Sequence, residues 1–144
     1  MPDYDDAVAS ASELAEQVRA LAYATRDLAD RPGDFYWMLG SLLQANRRLV
    51  QVYSQVANAH IAAEELARTD GGDATMGRRH AHDAAAALRR AVRLVEQIDG
   101  ELDAASQSSG RIAWSDAPAV VADGGVALDV EALTLSPDGR GIGV

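Results

Sequence analysis

The sequence predicts an all-α protein, an antiparallel three-helix bundle with a long central helix, followed by an extended C-terminal tail holding a short β-strand or hairpin. Three observations carry this expectation. Met38, Leu42, Ala45, Leu49, Val52, Val56, Ala59, Ala63 and Leu66 recur at alternating steps of four and three, which is one apolar face of a long helix. Two weaker copies of that pattern flank it, each separated from it by a few turn-forming residues. From Arg111 onward the periodicity stops, and glycine and proline enter instead. The division expected is therefore a helical bundle over 1–110 and a tail over 111–144.

The first helix is expected from about Tyr4 to Leu28, with the stripe Val8, Ala11, Leu14, Val18, Leu21, Thr25 and Leu28. Asp3, Asp5 and Asp6 stand at its start, where the helix dipole favours negative charge. Asp30-Arg31-Pro32-Gly33-Asp34 stops it, and Asp34 is expected to cap the next helix. The second helix follows from Phe35 to about Arg68, with no proline and only Gly40 as glycine. Thr69-Asp70-Gly71-Gly72-Asp73 is a glycine-rich reversal. The third helix is expected from Ala74 to about Ala105, with Ala81, Ala84, Leu88, Ala91, Val95, Ile98, Leu102 and Ala105 as its stripe. In the tail, Val126, Leu128 and Val130 alternate with Ala127, Asp129 and Glu131 as a strand would. Pro137-Asp138-Gly139 is a turn signal.

Folding the chain back at about residues 32 and 71 leaves the first helix too short to cover the far end. The hairpin tip, Ala57–Arg68 and Ala74–Ala85, should project as two bare, alanine-rich helices. Such a tip buries little by itself, so self-association through Ala59, Ala63, Ala67, Ala81 and Ala84 is expected, and with it a homo-oligomer.

Composition narrows the function classes. The chain carries 22 acidic against 13 basic residues, a net charge of −9, which argues against nucleic acid and anionic membrane as partners. It has no cysteine, so disulfides and thiolate metal sites are excluded. No apolar run approaches the roughly 20 residues of a membrane span. The acidic N-terminus has no signal-peptide layout, so a cytoplasmic location is expected. All basic residues are arginine, and alanine is abundant, as in GC-rich bacterial genomes.

Three clusters could carry chemistry. His60, Glu64 and His82 fall at one level of the tip and could ligate zinc or another divalent ion. His80 and His82 point about 200° apart on one helix, which keeps them from sharing an ion. Arg47, Arg48, Arg89, Arg90 and Arg93 form a belt level with Glu13 and Glu16, read as an interhelical salt-bridge network. Phe35, Tyr36 and Trp37 are expected to seal the open end of the bundle, where Leu102 arrives. No serine sits in a nucleophile-elbow context and no glycine loop follows a strand to cradle phosphate, so neither an enzyme nor a cofactor is expected.

The last residues, Asp138-Gly139-Arg140-Gly141-Ile142-Gly143-Val144, resemble the C-terminal targeting peptides of encapsulin cargo proteins. The Gly-Ile-Gly core is present. Arg140 stands near the family's leucine, and Val144 replaces its final Ser-Leu. The resemblance implies a cargo protein loaded into a shell through Ile142 and Val144. The reading of the helical body is a different one: a non-enzymatic protein–protein interaction module, an oligomeric adaptor or accessory subunit of a bacterial or phage assembly. A metal-binding helical protein using the His60/His82 region is the third reading.

Overall fold

The computed structural model describes residues 6–115. The chain divides into two units, Met1–Ile112 and Ala113–Val144. Of the second, only Ala113–Ser115 is described, and it is exposed. The tail strand and turn expected from the sequence lie outside the described residues, as do Ile142 and Val144.

The first unit is all-α, with no strand among the described residues. Its helices are α1 (Ala7–Ala24), α2 (Phe35–Ala62) and α3 (Ala74–Ser109). Asp6 caps α1 with its side chain, accepting from the Val8 and Ala9 amides. The helix ends at Thr25, earlier than the stripe suggests, and the chain continues through short 3-10 turns at Leu28–Asp30 and Pro32–Asp34. Arg31 precedes Pro32 and is held out of the α region, at φ −134 and ψ 64. Asp34 makes no side-chain cap bond, contrary to expectation. Its backbone is already helical (φ −83, ψ −16), because the proline turn runs directly into α2 and leaves no extended cap position.

α2 stops at Ala62, not near Arg68, and passes into a 3-10 turn at Glu64–Leu66 before Ala67 turns extended. The reversal is then built by Thr69 and Asp73. The Thr69 amide donates to the Asp73 carbonyl at 3.1 Å, and the Asp73 amide donates to Thr69 Oγ1 at 3.1 Å. Gly72 takes φ 87, which favours glycine. Asp73 Oδ1 caps α3 at the amides of Thr75 (2.9 Å) and Met76 (3.0 Å). With this start and no proline to stop it, α3 runs past Ala105 to Ser109.

α2 and α3 carry the main packing. Asn46 Nδ2 donates to the Val95 carbonyl at 3.1 Å, Arg47 pairs with Asp99, Glu65 with Arg78, and Glu64 with His82. Numbers rise on one helix as they fall on the other, so the two run antiparallel. The seam between them is thin. Leu43 is 7% exposed, and Ala57 and Ala85 are fully buried. Gly77 is buried because the returning loop lies on it: a Cβ there would come within 2.5 Å of Ala67 and Arg68 backbone atoms.

The packed face of α2 is not the stripe read from the sequence. Leu39, Leu43, Asn46, Val50, Tyr53, Ala57, Ile61 and Glu64 are the buried or half-buried positions at helical spacing. The purely apolar stripe from Met38 to Leu66 lies one residue, about 100°, around the helix. On it Ala45, Val52, Val56 and Ala59 are exposed while Met38, Leu42 and Leu49 are half-buried; Ala63 and Leu66 fall past the end of α2 and are exposed, Leu66 at 83%.

Candidate functional site

The α2–α3 hairpin has two unlike sides. One is polar. Arg47 grips Asp99 there with Nε (2.9 Å) and one terminal nitrogen (3.2 Å), over a crevice of about 230 Å³ with Val50 and Glu96. The Asp99 hydrogen bond, and then its charge, raise the Arg47 guanidinium above its ordinary value.

The other side is apolar. Leu42, Ala45, Leu49 and Val52 of α2, Leu102 of α3, and Leu14 and Val18 of α1 line a groove of about 430 Å³, with Asn46 and Arg48 at its edges. Leu102 also lines a second groove of about 710 Å³ with Leu94, Gln97, Ile98 and Glu101. The apolar surface therefore continues from α1 across α2 and onto α3.

α1 stands over this side without closing it. None of its residues is buried, and its stripe is open at Val8, Leu14, Val18 and Leu21. On α3, Leu94 and Ile98 are exposed as well. Single exposed apolar residues need no explanation; a connected surface over three helices does.

The sequence-selected residues are distributed across both faces. Ala59 and Ala63 are exposed on the open stripe of α2. Ala81 and Ala84 are half-buried, on the α3 face that also holds the buried Gly77 and Ala85. Ala67 is half-buried in the loop against Gly77. The tip alanines are thus not one free surface: part of them seals the hairpin to itself.

The histidines do not converge. His60 Nδ1 lies 2.8 Å from the carbonyl of Val56 on its own helix. His82 Nε2 bonds Glu64 Oε2 across the hairpin. His80 is exposed. Among the described residues no three His, Cys, Asp or Glu side chains are placed to share a metal ion.

The arginine belt does not form the expected network either. Arg47 takes Asp99, a partner sequence reading had not assigned, and Glu16 pairs with Arg19 of its own helix at 2.7 Å. Arg93 donates to the Arg89 carbonyl. Among the described residues Glu13, Arg48, Arg89 and Arg90 have no ion-pair partner. At the other end, the Tyr36 ring packs on Gly110, where a Cβ would meet it at 3.0 Å, and not on Leu102. Trp37 meets Tyr36 edge-on at 5.5 Å and is 74% exposed.

No helix among the described residues is long and apolar enough to cross a membrane. No protein family, curated protein or solved structure matches the chain.

Proposed function

We propose that this chain is a non-enzymatic helical protein–protein interaction module, acting as an oligomeric adaptor or accessory subunit of a larger assembly. Its three helices form an open antiparallel bundle that closes on a protein partner. The observation that supports this reading is the open apolar side: α1 buries none of its residues, and Leu14 and Val18 of α1, Val52 and Val56 of α2, and Leu94 and Ile98 of α3 are exposed at or beside two connected grooves. The groove lining is aliphatic, with no nucleophile or converging acid–base pair among its side chains, so it suits packing better than chemistry.

The test is sedimentation velocity of the purified chain over a range of micromolar concentrations, with binding of an apolar-surface dye measured on the same samples. A partnered surface gives an assembled species, or else a monomer that binds dye strongly. A monomer that binds no dye refutes the proposal, because its apolar side would then be closed within one chain.

A further inference from the structure

We infer that the groove between α1 and the hairpin binds a single-chain carboxylate amphiphile. The ligand class is a free fatty acid of roughly ten to twelve carbons, its chain among the leucines and its head on Arg48. The inference goes beyond the protein-partner reading, and its failure leaves that reading as it stands.

Shape comes first. Leu42, Asn46, Leu49 and Leu102 are half-buried and mark the groove's floor. Leu14 and Val18 of α1, with Ala45 and Val52 of α2, are exposed and mark its walls. Leu42 and Val52 lie ten residues apart on α2, about 15 Å. A helix about 10 Å across would need on the order of 1,200 Å³ to lie along that length. The groove holds about 430 Å³, so a partner helix can cap it and cannot fill it. At about 30 Å³ per heavy atom, the same space takes roughly 14 of them, which is one alkyl chain with its head.

Charge decides the head group. No acidic residue lines this groove, whereas Glu96 and Asp99 line the polar crevice and Glu101 lines the second groove. Its two polar residues differ. Asn46 commits its amide nitrogen to the Val95 carbonyl. Arg48 has no ion-pair partner among the described residues. A guanidinium at the edge of an aliphatic slot presents a planar fork that a carboxylate meets with both oxygens. One guanidinium balances one negative charge, and a net charge of −9 opposes a second. That selects a monoanionic head over a phosphate ester. The chain of the ligand then covers Leu14 and Val18, which α1 leaves open in the free protein.

Isothermal titration of the 144-residue chain at neutral pH tests this with decanoate, decanol and decyltrimethylammonium, each kept monomeric. The protein's net charge makes the comparison severe, because bulk attraction favours the cation. The expected result is one decanoate per chain, held at least tenfold more tightly than decyltrimethylammonium. Arg48→Gln should bring decanoate down to the level of decanol with helicity unchanged. Ala45→Phe should fill the slot and abolish binding of all three. Binding that ranks the cation first, or that ignores Arg48→Gln, is detergent-like adsorption and overturns the inference. Decanoate binding that survives Ala45→Phe places the site elsewhere and also overturns it. Absence of decanoate binding does the same, whether sedimentation then shows a second copy or phosphatidylglycerol vesicles capture the chain instead.

Discussion

Gly77→Ala should destabilise the chain, although in a helix the same change ordinarily stabilises. α3 contains Gly77 and Gly100, and α2 contains Gly40. Replacing a helical glycine by alanine gains about 0.8–1.0 kcal/mol through backbone entropy. At Gly40 and Gly100 an added Cβ meets nothing within 4 Å, so each variant should gain most of that amount. At Gly77 the Cβ would sit 2.5 Å from three backbone atoms of Ala67 and Arg68. Backbone cannot rotate aside as a side chain does, so either the loop lifts or α3 shifts. Overpacking of this kind costs about 1–3 kcal/mol, which cancels or outweighs the propensity gain. The net expectation is a loss of roughly 0–2 kcal/mol for Gly77→Ala. Against Gly100→Ala, that is a difference of roughly 1–3 kcal/mol, or several degrees in Tm for a unit near 100 residues. Thermal melts at one fixed protein concentration compare the three variants directly, since association shifts Tm. If Gly77→Ala melts as high as Gly100→Ala, the loop does not lie on α3, and the sealed tip described above is wrong.

Other outcomes follow from the same geometry. Asp73→Ala removes the acceptor for two α3 amides and should cost about 1 kcal/mol by urea unfolding. Asp6→Ala removes the equivalent cap from α1 and should lower helicity by circular dichroism at submicromolar concentration while leaving the main unfolding transition in place, because α1 buries nothing in the single chain. Leu43→Ala should cost about 2–5 kcal/mol, and Leu49→Ala clearly less in the monomer, since Leu49 lines an open groove. The pKa of Arg47 is raised, so its contribution is fully present below the guanidinium range and is lost only as pH rises through it. The stability difference between wild type and Arg47→Gln should therefore be the same at about pH 7 and about pH 9. Zinc in excess should leave the melt unchanged, because His82 is bonded to Glu64 and His60 turns to its own helix.

The three helices were legible because their punctuation is strong: Pro32-Gly33, Gly71-Gly72 and the serine-glycine run at 107–110 break an otherwise unbroken pattern. The level of α3 on α2 was legible only to within a turn or two: His82 meets Glu64 a turn beyond His60, and Tyr36 meets Gly110 instead of Leu102. The seam was not. α2 carries adjacent apolar pairs at Met38-Leu39, Leu42-Leu43, Leu49-Val50 and Val56-Ala57, the pattern of a helix with two apolar faces. Taking the cleaner face as the core assigned the α3 contact to Ala45, Val52, Val56 and Ala59, which remain exposed, and to Met38, Leu42 and Leu49, which are only half-buried. The true contact face includes Asn46 and Glu64, whose polarity hides it from an apolar count, yet both are satisfied across the seam by Val95 and His82. The alanine tip was misread for a related reason. Ala57, Ala85 and Gly77 are small because helices and loop approach closely there, a property of contact that composition alone does not separate from exposure.

The two faces of α2 differ in kind, and the difference bears on what each is for. The α3-facing seam mixes small residues with polar ones, each with a defined partner: Asn46 to a carbonyl, Glu64 to an imidazole, Arg47 to Asp99 at the rim. Such contacts fix register, because a shift by one residue would strand a half-buried amide or carboxylate. The neighbouring apolar face carries no comparable device, only Met38, aliphatic side chains and alanine. Aliphatic seams gain energy from burial and tolerate repacking, but they specify register weakly. A chain built this way settles its hairpin first, through the specific seam. It leaves the open side to burial alone.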